Sequence, residues 1–164
     1  MNAELVPHFK YDVASQPGGE NIKLCFAYGI CTASCPIRDI DQRYNPRKII
    51  RMILLGMKSR VLKSDFIWFC SSCYACTDRC PQGVRFTDVM SAVKNLAVAE
   101  GYMHPAFKQQ VETLGKFGRL YDIDEFDNKK RISLGLPAVG KVKGVMRKIL
   151  EITGLVKVNQ DKAP

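Results

Sequence analysis

The chain has 164 residues, the size of one ordinary domain, and its 46% apolar and 25% charged residues exclude a disordered chain or a fibre. Lys and Arg total 25 against 16 acids, a formal charge of +9. The excess is spread, with 13 bases and 9 acids in residues 1–100 and 12 and 7 in 101–164, so no basic tail or stripe marks a nucleic-acid partner. Residues 1–21 are polar and carry Pro7, Pro17, Gly18 and Gly19, which reads as an extended arm. Asn45-Pro46 then starts a strong helix signal, with Asn45 as N-cap and Pro46 at the first helical position. Ile49, Ile50, Ile53 and Leu54 form its apolar stripe, Arg47, Lys48 and Arg51 its outer face, and Gly56 its stop.

A short helical or irregular stretch, Lys58 to Lys63, leads to Ser64-Asp65, read as the cap of a helix carrying Phe66 to Phe69. Thr87 is read as the cap of a further helix, with Asp88 in its first turn, Val89, Val93, Leu96 and Ala97 facing inward and Gly101 at its end. His104-Pro105 opens another helical pattern through Val111 and Leu114. Residues 122–131 place acids before bases and read as a solvated loop; Asp127 and Ser133 stand where a calcium loop needs Gly and Glu. Lys141 to Val158 is a last amphipathic segment. Docking on the chain's own core or on a partner is its favoured reading, and peripheral contact with an anionic membrane the alternative. Strand signals are scarce, so the expected class is mainly α. Residues 22–105 should form the core and 106–164 a helical extension. No run of 18 apolar residues spans a bilayer, and no secretory pattern opens the chain, so a cytoplasmic protein is expected.

The sharpest feature is Cys70-Ser-Ser-Cys73-Tyr-Ala-Cys76-Thr-Asp-Arg-Cys80-Pro81. This is C-x2-C-x2-C-x3-C-P, the bacterial run for iron–sulfur clusters. Three closely spaced thiolates wrap corners of one cube, and the fourth points toward a second cluster. A zinc site fits badly, because zinc takes four ligands from two distant pairs. An earlier copy is Cys25-Phe-Ala-Tyr28-Gly-Ile-Cys31-Thr-Ala-Ser-Cys35-Pro36, with Tyr28 where the second Cys should be. Two copies predict two clusters with crossed ligation. Cys70, Cys73, Cys76 and Cys35 should hold a complete [4Fe-4S] cluster. Cys25, Cys31 and Cys80 should hold the other, either [3Fe-4S] or a site-differentiated [4Fe-4S] whose fourth iron takes the phenolate, hydroxide or a small ligand. All seven Cys are then used.

The duplicated motif, the helical insert Asn45–Gly56, and the runs Asp65-Phe-Ile-Trp68-Phe-Cys70 and Cys80-Pro81-Gln82-Gly83-Val84 resemble the iron–sulfur C-type subunit of heterodisulfide reductase and its homologues in sulfur-oxidising bacteria. The resemblance covers roughly residues 20–105. The motif alone is shared with other helical ferredoxins, including the iron–sulfur subunits of succinate dehydrogenase and fumarate reductase. The resemblance implies an α-helical ferredoxin with two cubanes. It implies electron relay between two partners, a flavoprotein of the A type and a catalytic protein of the B type that acts on disulfides. Tyr28 departs from the family's Cys. In succinate dehydrogenase-type proteins a non-Cys residue at this position accompanies a three-iron cluster.

No Cys-Cys pair and no G-x-G-x-x-G run occurs, so substrate chemistry is expected in partners, and this chain is expected to be a non-catalytic redox subunit. Three alternatives are a sensor using the open corner at Tyr28, a succinate dehydrogenase-like iron–sulfur protein, and a zinc-bearing nucleic-acid module using Arg43, Arg47, Lys48 and Arg51. His8 and His104 are read as surface or helix-start residues, and Phe66, Trp68 and Phe69 as shielding a cluster or packing the core.

Overall fold

The computed structural model describes residues 5–140 and 144–155. Among the described residues the regular elements are all helical, and none is long and apolar enough to cross a membrane. The chain divides into two compact units, Met1–Tyr102 and Met103–Pro164.

The first unit is built on α4 (Pro46–Leu54). Asn45 Oδ1 accepts from Lys48 N at 3.0 Å, Pro46 fills the first position, and Ile49, Ile50, Met52 and Ile53 are buried, as the apolar spacing requires. Around α4 pack α1 (Phe9–Ala14), α5 (Lys58–Leu62) and α2 (Ile30–Ala33). The 14-residue α7 (Phe86–Ala99) packs on α1 and α5 and buries Val89, Met90, Val93 and Ala97. Two shorter helices, α3 (Pro36–Ile40) and α6 (Ala75–Asp78), follow or lie within the cysteine runs.

The N-terminal segment is not an extended arm. Phe9 and Val13, one helical turn apart, are fully buried on α1 in the main core. Val6 N donates to Gly56 O at 2.8 Å. Gly56 has φ +75°, and a Cβ there would collide with the Val6 carbonyl, so the glycine ends α4 and seats the N-terminal chain at once. Thr87 is not a cap either. α7 starts at Phe86 after Arg85, whose φ is +54° and whose guanidinium pairs with Asp88 at 2.8 Å, while Thr87 is buried. Ser64 precedes a 3-10 turn, Asp65–Phe69, but its hydroxyl donates back to Val61 O.

In the second unit α8 (Pro105–Phe117) is capped by His104, whose Nδ1 accepts from Ala106 N. The expected loop at 122–131 is largely helix: α9 spans Glu125–Ser133. Asp124 and Asp127 form a reciprocal capping box, acids fill the first turn and Lys130 and Arg131 the last, so the charge order complements the helix dipole. Asn128 then clasps Val139 through both its amide groups. α10 (Val145–Ile152) packs on α8 through Leu150, which meets Gly115. Residues 141–143 and 156–158 of the amphipathic segment lie outside the described residues.

Candidate metal centre

Both cysteine runs fold into the same backbone. A 3-10 turn leads into each, Glu20–Leu24 before Cys25 and Asp65–Phe69 before Cys70. Two residues after the first Cys the chain turns left-handed, at Ala27 (φ 57°) and Ser72 (φ 53°), and two residues later again, at Gly29 (φ 89°) and Tyr74 (φ 63°). A single helical turn follows. α2 opens with Thr32 and Ala33 N–H donating to Gly29 O, and α6 with Thr77 and Asp78 N–H donating to Tyr74 O. A left-handed non-Gly residue costs roughly 1–2 kcal/mol, and among the described residues three of the four such positions are in these loops. Successive left-handed and right-handed residues of this kind form anion-binding turns. Ala27 N donates to Cys25 Sγ at 3.4 Å.

Each run is pinned to the start of the next long helix by an equivalent threonine. Thr32 Oγ1 donates to Asn45 Oδ1 at 3.1 Å and accepts from Arg47 N at 3.0 Å, at the head of α4. Thr77 Oγ1 donates to Thr87 Oγ1 at 3.2 Å and accepts from Thr87 N, at the head of α7. The positive ends of both helix dipoles are thereby held near the thiols.

The seven thiols surround two neighbouring hollows. Cys25, Cys31 and Cys80, with Cys76, line the first, a space of about 410 Å³ open on one side. Cys35, Cys70, Cys73 and Cys76 line the second, about 280 Å³. The second Cys of the second run, Cys73, is exposed, while Cys35 and Cys76 are buried. Cys76 borders both hollows, and its Sγ lies 3.4 Å from Thr87 Oγ1. Among the described residues no three Cys, His, Asp or Glu side chains converge for a single ion. Soft thiols from two runs set around shared hollows, without converging on one point, suit an iron–sulfur cluster, while zinc needs four donors within about 2.3 Å of one point. Burial pushes the Cys31 and Cys76 thiols above their ordinary range, so loading either hollow must release protons.

Tyr28 borders the first hollow but does not fill it. It is 60% exposed and stacks on Phe26 at 6.3 Å between ring centroids, with Arg47 also at the lining. Ile67 is the fully buried member of its 3-10 turn; Phe66, Trp68 and Phe69 pack at the core's edge and are not among the lining residues. His8 pairs with Asp12 at the surface and His104 caps α8, so neither histidine borders a hollow.

No sequence signal singles out Tyr44. It is 1% exposed and borders the second hollow beside Pro46, and its Oη is buried without a hydrogen-bond partner. Leaving such a hydroxyl unmatched costs about 1–3 kcal/mol. Burial first, then the thiols of Cys70, Cys35 and Cys76, hold its pKa far above the ordinary phenol value, so it stays protonated. An orphan donor beside these thiols is the mark of a site built for an electron-rich group. Thr87 is visible in the sequence only as a helix-cap candidate, and nothing there marks it as a neighbour of the Cys76 thiol.

A family model described as a 4Fe-4S dicluster domain matches residues 18–84, which hold all seven cysteines. The chain is 35% identical to the C-type iron–sulfur protein of the CoB–CoM heterodisulfide reductase of Methanopyrus kandleri, over 85% of this chain and 73% of that protein. It is 36% identical to the second C-type iron–sulfur protein of the CoB–CoM heterodisulfide reductase of Methanocaldococcus jannaschii, over 80% and 70% of the two chains. The C-type subunit of the ferredoxin:CoB–CoM heterodisulfide reductase of Methanosarcina mazei is 36% identical over 74% of each.

Proposed function

Because the chain belongs to the family of heterodisulfide reductase C-type iron–sulfur subunits, we propose that it relays electrons between a flavoprotein of the A type and a protein of the B type that acts on a disulfide. The observation that carries this reading is the mixed membership of the two thiol-lined hollows. Cysteines from two runs 45 residues apart border each one, and Cys76 stands at both. When bound there, iron–sulfur clusters supply reversible one-electron transfer.

The chain's own residues hold and tune that capacity. Cys35, Cys70, Cys73 and Cys76 hold a [4Fe-4S] cluster; Cys25, Cys31 and Cys80 hold a second cluster, with Tyr28 at the fourth position. Cys35 and Cys80 are the crossing ligands, each completing the site of the other run. Ile50, Val84 and Phe86 wall the first hollow with apolar surface and restrict water. Thr87 Oγ1 lies 3.4 Å from Cys76 Sγ and donates to it once that sulfur is a thiolate ligand, and the heads of α4 and α7 favour the negative charge of the loaded sites. The short path past Cys76 joins the two sites. Anaerobic purification with iron, sulfide and flavin analysis tests the reading. Two EPR-active clusters per chain, reduced through a co-purifying flavoprotein and reoxidised by a disulfide-active partner, support it. A reconstituted chain without iron, or one that exchanges no electrons with either partner, contradicts it.

A second reading draws on the exposure of Tyr28. An open corner at Cys25, Cys31 and Cys80 would let a thiol or sulfide bind there and make the chain a sensor. Spectral change at that site alone on adding thiol, abolished in Tyr28→Cys, would favour it.

A further inference from the structure

We propose that Tyr44 donates its phenolic hydrogen to the sulfur of the cluster held by Cys35, Cys70, Cys73 and Cys76, and so makes that cluster the more easily reduced for its type. This rests on the ligand assignment of the preceding subsection. The hydroxyl does what a phenylalanine could not. Tyr44 is fully buried in the apolar core, between the first cysteine run and α4, where a Phe ring would pack equally well. The hydroxyl adds nothing to that packing and is left unmatched in the core. It borders the same hollow as Cys35, Cys70 and Cys76, three of the four thiols assigned to one site. A buried donor needs an acceptor, and of the groups lining that hollow it is the thiols, Cys70 before Cys35 and Cys76, that act on the Tyr44 hydroxyl.

The effect on reduction follows from charge. Gaining an electron makes the sulfur more negative, so a hydrogen bond to it is stronger in the reduced state than in the oxidised one. The electron enters the cluster, the phenol keeps its proton throughout, and no covalent bond forms or breaks. Thr87 already presents one hydroxyl to Cys76 on the same hollow, at 3.4 Å. Tyr44 adds a second, from the residue before the α4 cap.

The test is Tyr44→Phe in the reconstituted holoprotein, with iron and sulfide counted first. EPR-monitored redox titration should then show the one-electron reduction equilibrium of the four-thiolate cluster shifted about tenfold toward the oxidised state, which is 59 mV lower. The cluster at Cys25, Cys31 and Cys80 should keep its potential. An exchangeable-proton coupling at the four-thiolate cluster, seen after transfer of wild-type protein to heavy water, should be missing in the variant. The apoprotein should melt close to wild type, since the ring that fills the core is kept and at most one weak contact to the Cys70 thiol is lost. Full iron with an unchanged potential, or an equal shift at both clusters, overturns the assignment of Tyr44. Wild-type protein that takes up no iron overturns the ligand assignment, and this inference with it.

Discussion

Asn45 ties the first cysteine run to the helix that carries the core, and its removal should be felt in both. Its Oδ1 accepts from Lys48 N at 3.0 Å and from Thr32 Oγ1 at 3.1 Å, and Thr32 follows Cys31 directly. In Asn45→Ala the α4 cap is lost, at about 1 kcal/mol. The part-buried Thr32 hydroxyl loses its acceptor as well, at about another 1 kcal/mol. Spread over the Met1–Tyr102 unit, a loss of ~2 kcal/mol lowers the melting temperature by about 10 °C. Calorimetry of the full-length apoprotein measures this. Asn45→Asp keeps an acceptor and should stay within ~0.5 kcal/mol of wild type. In loaded protein, Asn45→Ala should lose iron to a chelator faster from the Cys25, Cys31 and Cys80 site than from the other. An Asn45→Ala protein that melts within 2 °C of wild type (~0.4 kcal/mol on the same scale) would refute the reasoning. So would an Asp variant as damaged as the Ala variant.

Tyr28→Cys restores the missing thiol of the first run, and its iron content should be that of two complete cubanes, about eight per chain, with any three-iron EPR signal lost; a spectrum identical to wild type would show that position 28 does not face the cluster. The apoprotein should also lose stability in alkali. Burial raises the Cys31 and Cys76 thiols, so the folded chain holds their protons to higher pH than the unfolded chain does. That contribution is present below the ordinary thiol pKa of ~8.5 and is lost as pH rises through the raised values. Urea midpoints between pH 7 and pH 10 check the direction, and a flat profile counts against it.

Much of the fold is legible because local signals agree. At α4 the Asn-Pro start, the isoleucine spacing and Gly56 all specify one helix, and the structure has it at Pro46–Leu54. The cysteine runs are legible as a repeat, and the repeat extends to matching left-handed residues at Ala27 and Ser72 that spacing alone does not reveal. α1 is hidden because six residues cannot signal a helix by periodicity; Phe9 and Val13 are helical because the core buries them. α9 reads as a loop because its face is nearly all charged, yet Asp124, Asp127 and the trailing bases cap it at both ends. Thr87 suits an N-cap by residue type, but Arg85 begins α7 two residues earlier and leaves the hydroxyl for Thr77 and Cys76. Tyr44 is invisible because a buried hydroxyl acquires meaning only from what lies beside it, and its neighbours Cys35, Cys70 and Cys76 come from both runs.

The most direct measurement exchanges one crossing ligand at a time. Cys35→Ser and Cys80→Ser are reconstituted anaerobically, and EPR with Mössbauer spectroscopy follows both clusters in each. The account requires Cys35→Ser to alter the cluster of the second run, at Cys70, Cys73 and Cys76, and Cys80→Ser to alter the cluster at Cys25 and Cys31, each leaving the other spectrum intact. If each serine instead alters the cluster of its own run, the ligands do not cross, and the arrangement proposed for electron relay is wrong.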